Sequence, residues 1–156
     1  MNNADNLRAR FGIKFSLLAR QWRRVMQAHL ARSGMTDTTW VPLMHLRDHP
    51  DGILLKELSL LVGVDSSSLV RIIDKLDRDG LVERKRDETD ARAKQILLTQ
   101  HGHQRVAAIQ QQLAVAELDI LGGLTDEDIV QMSASLRHIQ QKLTDFEHAE
   151  PTPHKD

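Results

Sequence analysis

Residues 55–102 read LKELSLLVGVDSSSLVRIIDKLDRDGLVERKRDETDARAKQILLTQHG, and their pattern decides the fold. Leu55, Leu58, Leu61 and Val62 fall at helical spacing, which predicts a short helix with one buried stripe. Gly63-Val64-Asp65 is a tight connection, and Asp65 is placed to cap a second helix. There Leu69, Ile72, Ile73 and Leu76 occupy i, i+3, i+4 and i+7, and Gly80 stops the run. Two short helices of this kind around a glycine turn form the helix-turn-helix pattern. Leu81–Lys85 and Lys94–Leu98 then flank the polar segment 86–93, which predicts a β-hairpin, and Thr99 restarts a helix.

Upstream, Phe11, Phe15, Leu18, Trp22, Val25, Met26, His29 and Leu30 recur in threes and fours. They predict one long amphipathic helix over about 6–32, with Gly34 as its stop. Thr36 or Asp37 can cap the next helix, which runs through Trp40, Leu43, Met44 and His45 to about Asp48, with Pro42 near its start. His49-Pro50-Asp51-Gly52 is a turn signal. Downstream, a long helix through Val106, Ile109, Leu113, Ala116, Ile120 and Leu121 is broken at Gly122-Gly123. Thr125 to Asp128 resembles a capping box. The last helix is expected to bury Ile129, Met132, Leu136, Ile139, Leu143 and Phe146, a stripe long enough to seek a partner helix. The expected fold is mainly α with a small β wing: a helix at 1–35, a winged helix-turn-helix at 36–98, two helices at 99–148 and a polar tail at 149–156.

The chain has 156 residues, 40% hydrophobic and 28% charged, which suffices for one core. A net charge of -1 excludes a uniformly basic coat, so any nucleic-acid surface must arise locally. Residues 1–55 carry eight Lys or Arg against four acids, and 100–150 carry three against eight. Cysteine is absent, which removes disulfides, thiolate metal sites and cysteine nucleophiles, and is compatible with the cytoplasmic location expected here. With 3% aromatics and no Tyr, a base-stacking platform is disfavoured. No apolar run approaches the roughly 18 residues of a membrane span, and no signal-peptide core is seen at the N-terminus.

The candidate chemistry lies on the outer face of the second short helix. Ser66, Ser67, Ser68, Arg71 and Lys75 point away from its apolar stripe. Serine hydroxyls can bond phosphates or base edges, and Arg can bond guanine as a fork. The competing reading is plain capping and a solvated face. His45 and His49 stand at i, i+4, but no further ligand pair accompanies them, so packed or solvent-facing histidines are expected. No metal or other cofactor is expected. Neither a G-x-S-x-G elbow nor a phosphate loop occurs, so an enzyme is not expected.

The runs Asp65–Leu76, Gly80-Leu81-Val82-Glu83-Arg84, Asp90-Ala91-Arg92-Ala93-Lys94 and Leu98-Thr99-Gln100-His101-Gly102 resemble the MarR family of winged-helix regulators. With Thr39-Trp40-Val41 they are most similar to its SlyA-like branch, over roughly residues 7–146. The resemblance implies a homodimer of interlocked terminal helices on a pseudo-palindromic operator in double-stranded DNA. It implies that Arg92 is the wing-tip arginine of the minor groove and that Asp90 orients an arginine. Arg86 and Lys94 would serve the minor groove or phosphates. Many relatives release DNA when a small aromatic acid binds, and Arg20, Arg23 and Trp40 fall where the SlyA-like pattern places such groups, with Met44 one turn on. Packing of the tryptophans and pairing of the arginines with acids or DNA is the alternative. Repression and anti-repression, with or without a ligand, are both open. A winged helix that binds protein without specific DNA binding is the competing class.

Overall fold

The computed structural model describes residues 3–35, 39–86, 88–90 and 93–149. Among them the chain forms α1 (Asn3–Arg32), α2 (Trp40–Arg47), β1 (Ile53–Leu54), α3 (Leu55–Val62), α4 (Ser66–Arg78), β2 (Val82–Arg86), β3 (Lys94–Leu98), α5 (Gln100–Leu121) and α6 (Asp126–Ala149). It divides into two compact units, Met1–Ala116 and Glu117–Asp156.

The first unit is held by one core. Met26 and Leu30 of α1, Leu43 and Leu46 of α2, and Leu58 and Val62 of α3 are buried together. Leu69, Ile73 and Leu76 of α4, Ile96 and Leu98 of β3, and Val106, Ile109 and Leu113 of α5 complete it. The expected stripes are refined in three places. Leu61 is exposed, because in a two-turn helix the line through Leu58 and Val62 takes the inward face and Leu61 falls beside it. Ile72 is only half-buried. In α1 the stripe splits: Met26 and Leu30 are buried and Trp22 packs on the core, whereas Phe11, Phe15, Leu18 and Val25 are exposed.

The strands pair antiparallel in the order β1-β3-β2. Val82 faces Leu98, Arg84 faces Ile96 and Arg86 faces Lys94 across the hairpin, while Ile53 faces Ile96 from the other edge. β1 is not anticipated by the sequence, since two residues show no alternation. The helix-turn-helix connection turns on Gly63 in the left-handed region at φ 75, where an L side chain would be strained. The N-cap of α2 is Thr39, whose side chain makes no capping hydrogen bond to the helix; Thr36 and Asp37 lie outside the described residues.

In the second unit, Thr125 and Asp128 form the expected reciprocal cap. The Thr125 backbone N–H and hydroxyl donate to the Asp128 carboxylate at 2.9 and 2.8 Å, and the Asp128 N–H donates to Thr125 Oγ1 at 3.1 Å. The expected burial along α6 is corrected: none of its described side chains is buried within the chain. Met132, Leu136, Leu143 and Phe146 are all exposed. Ile129 and Ile139 of the same stripe are half-buried.

The start of α5 sits hard against the root of the hairpin. A Cβ on Gly102 would lie 2.0 Å from the Leu81 carbonyl oxygen, a backbone atom that cannot swing aside. Gly102→Ala should therefore destabilise the protein by about 1–3 kcal/mol, as overpacking does. Gly12→Ala in α1, where a Cβ meets nothing within 4 Å, should be neutral or stabilising by up to about 1 kcal/mol. Urea denaturation of both variants checks the pair, and equal effects would refute the steric assignment.

Candidate nucleic-acid interface

The recognition-type helix α4 is set by its own first turn. Asp65 caps it, accepting the Ser68 backbone N–H at 2.8 Å and the Ser68 hydroxyl at 2.6 Å. These two hydrogen bonds, the hydroxyl's first, hold the Asp65 carboxyl below the usual carboxylate range. Ser68 thus directs its proton to the cap, and only its lone pairs face outward. Ser66 and Ser67 are exposed at the N-terminal end, where backbone N–H groups point along the axis.

Leu69, Ile73 and Leu76 anchor the inner side of α4. The opposite side carries Arg71, with Asp74, Asp77 and Arg78 lining the same shallow groove. Arg71 is exposed, and its guanidinium makes no hydrogen bond or ion pair with any described residue. Lys75 stands to one side, half-buried, with Nζ 3.4 Å from Asp79 Oδ2.

The hairpin lies beside this helix. Val82, Arg84, Ile96 and Leu98 share one face by strand alternation and cross-strand pairing. Val82, Ile96 and Leu98 enter the core, which turns Arg84 toward α4. There Arg84 Nη1 donates to Asp77 Oδ2 at 2.8 Å, and Nη2 donates to Asp74 Oδ1. Farther out, Arg86 and Lys94 are direct cross-strand partners, both exposed. Like charges opposite one another weaken a hairpin unless an anion lies near them. Asp90 closes the tip turn, its carbonyl accepting the Ala93 N–H at 3.0 Å. Arg92, the expected wing-tip arginine, lies outside the described residues.

The other residue set gathers at the α1–α2 junction. Arg20, Arg23 and Gln27 share one side of α1 by helical spacing. Trp40 donates its indole N–H to Gln27 Oε1 at 2.6 Å, and Arg23 Nη1 donates to the Val62 carbonyl at 3.4 Å. Trp22, Trp40 and Met44 pack on the core, while Arg20 is exposed. His49 Nδ1 stands 2.8 Å from the His45 carbonyl. Among the described residues, no group of three or more His, Asp or Glu is arranged to hold a metal.

Sequence reasoning assigned no role to Arg84 or Arg78. Arg84 was legible as an inward position in an alternating strand, but its partners lie seven and ten residues earlier in the chain. Arg78 follows Arg71 by two helical turns, and that spacing alone put it on the same face.

Three antiparallel strands behind a helix-turn-helix pair define a winged helix. The comparisons with known proteins agree. A family model described as MarR family matches residues 33–93. The solved transcriptional regulator PA3341 is 31% identical, with a TM-score of 0.75, over 86% of this chain and 98% of that one. The transcriptional regulator SlyA shares the fold at 20% identity and a TM-score of 0.69, over 90% of this chain and 99% of that one. So does a mutant MarR from E. coli solved with operator DNA, at 20% identity and a TM-score of 0.65, over 89% and 99%. The chain belongs to the MarR family. It is a transcriptional regulator built on a winged helix, not an enzyme.

His45 generates a pH dependence. Burial lowers its pKa below the ordinary 6.5, Asp48 opposes this, and Arg23 and His49 add to it. The unfolded chain then binds the proton more readily than the folded one. The neutral ring's contribution to stability is full above the ordinary value and is lost as pH falls through the lowered one. Melting temperature should therefore fall more steeply from about pH 7 to about pH 5 for the parent than for His45→Gln. Parallel curves would refute this assignment.

Proposed function

We propose that this protein is a homodimeric, sequence-specific DNA-binding regulator. The observation that carries the reading is Arg71: an outward guanidinium without a partner among the described residues, on the exposed face of a capped helix beside a cationic hairpin. A cation held by a protein carboxylate must first release it to meet DNA, which an exposed ion pair does at small cost. Ser66, Ser67, Ser68, Arg71 and Lys75 would enter the major groove. Arg71 would fork to guanine, and the helix N-terminus with the serines would meet phosphate. Arg86, Lys94 and Arg92 would follow the backbone and the minor groove, with Asp90 orienting an arginine. The adjacent Arg86 and Lys94 charges support this, since phosphate relieves their repulsion.

Dimerisation is supported by surface the chain leaves uncovered. Phe11, Phe15 and Leu18 of α1 and Met132, Leu136, Leu143 and Phe146 of α6 form helical apolar stripes exposed to water. The charge of α1 is basic and the first turn of α6 is acidic, so the same helices from two copies attract. A two-fold dimer would present two α4 helices about one DNA turn apart, on a pseudo-palindromic operator. A small aromatic carboxylate is the proposed effector. Arg20 and Arg23 would hold its charge, and Trp40 and Met44 its ring. Release of DNA then requires that it bind the spacing incompatible with DNA better than the competent one. None of the described helices is long and apolar enough to cross a membrane, in keeping with a cytoplasmic regulator.

The test is fluorescence anisotropy on duplexes drawn from a randomised library, across a salt series, with and without salicylate. We expect sequence preference with a modest salt slope, given the net charge of -1. Arg71→Ala should cost about 1–3 kcal/mol and relax preference at one position of each half-site. A folded protein that binds no duplex would refute the reading and leave a winged helix that binds protein. Leu136→Asp should shift the protein to monomer in sedimentation, and a persistent dimer would remove α6 from the interface.

A further inference from the structure

We infer that Arg84 is a positioning residue for DNA reading: it withholds Asp74 and Asp77 from Arg71 and Arg78. This inference rests on the DNA-binding reading above. Asp74 stands three residues after Arg71 and four before Arg78, the spacings at which acids and arginines on a helix ordinarily pair. Four charged side chains line one groove, so local pairing would be the default. It does not occur. The carboxylates of both Asp74 and Asp77 are taken by the guanidinium of Arg84, which arrives from β2.

The geometry explains why Arg84 wins. Its side chain is fixed by a strand whose neighbours on the same face, Val82 and Ile96, are in the core. It is the least exposed of the three, at 29% against 52% for Asp74 and 46% for Asp77. A planar fork held by the sheet loses less freedom on pairing than a long flexible arginine on an exposed helix. One guanidinium can satisfy two carboxylates at once, whereas Arg71 or Arg78 could reach only one by helical spacing.

Two consequences follow. Arg71 keeps its full fork for a base, and one of the two negative charges on that face is offset before phosphate approaches. Arg84 also ties β2 to α4, so the outward position of the wing and the register of the helix move together.

The experiment compares the full-length parent with Arg84→Ala, Asp74→Asn/Asp77→Asn, and the triple variant carrying all three changes. Each is titrated on a duplex that the parent enriches from a randomised library, after thermal melts establish folding. Arg84→Ala should weaken binding by about tenfold to a hundredfold, the size of one forked base contact, and flatten the preference that Arg71→Ala flattens. The Asp74→Asn/Asp77→Asn protein should bind as tightly as the parent or tighter. The triple variant should recover to within a few-fold of that double variant, with the base preference restored.

A triple variant as weak as Arg84→Ala would overturn the assignment, because Arg84 would then act on DNA or on the fold directly. Unchanged binding by Arg84→Ala would also overturn it. Should Arg84→Ala fail to fold, the triple against the double variant decides: equal affinity supports the assignment and a loss refutes it. A parent that enriches no duplex would overturn the regulator reading, and this assignment with it. Failure confined to the triple variant touches Arg84 alone.

Discussion

The carbonyl group of Leu81 is the junction on which the winged helix depends. It accepts the Thr99 N–H at 3.1 Å, so the residue before the hairpin and the residue after it are tied directly. The Thr99 hydroxyl donates to the Gly80 carbonyl at 2.6 Å and accepts the Gly102 N–H at 3.0 Å. One threonine therefore caps α5 and closes the turn that ends α4. The Gly102 backbone packs against the same carbonyl at a distance no side chain allows. Four elements (α4, β2, β3 and α5) meet here within a few backbone atoms. If that junction opened, the hairpin would lose its fixed angle to α4.

From this junction the function follows outward. The inward face of the hairpin carries Val82, Ile96 and Leu98 into the core, and the next position out on that face is Arg84. Its guanidinium meets the two acids of α4, and beyond it Arg86 and Lys94 face each other in water. The gradient along one hairpin runs from apolar anchor to ion-pair clamp to open cations. A chain of net charge -1 can thus present positive charge locally, where Arg86 and Lys94 stand together at the outer end of the hairpin.

The α1–α2 junction is a second place where side chains converge. Trp40 is held to α1 through Gln27, Arg23 reaches the end of α3, and burial lowers the pKa of His45. These contacts join α1 to the helix-turn-helix through few polar links. His29 makes a similar link to α5, with Nε2 3.0 Å from the Gln112 carbonyl.

The sequence by itself determined the helices and the hairpin, the caps of α4 and α6 and most of the inner faces of α4 and α5, because those follow from periods of a few residues. Asp65 before Ser68, Thr125 before Asp128 and the Leu69–Ile73–Leu76 stripe are local facts, legible within one or two turns. The outward positions of Ser66, Ser67 and Arg71 were legible for the same reason. Only the tertiary structure decided the rest. β1 exists because β3 offers it an edge. Arg84 matters because the core aims it at residues on another element, and Leu61 is exposed because Leu58 and Val62 already fill the inward line. The stripe of α6 shows the opposite limit. Its period is plain in the sequence, yet Met132, Leu136, Leu143 and Phe146 are exposed and Ile129 and Ile139 only half-buried, since burial depends on what stands opposite and periodicity describes only one side.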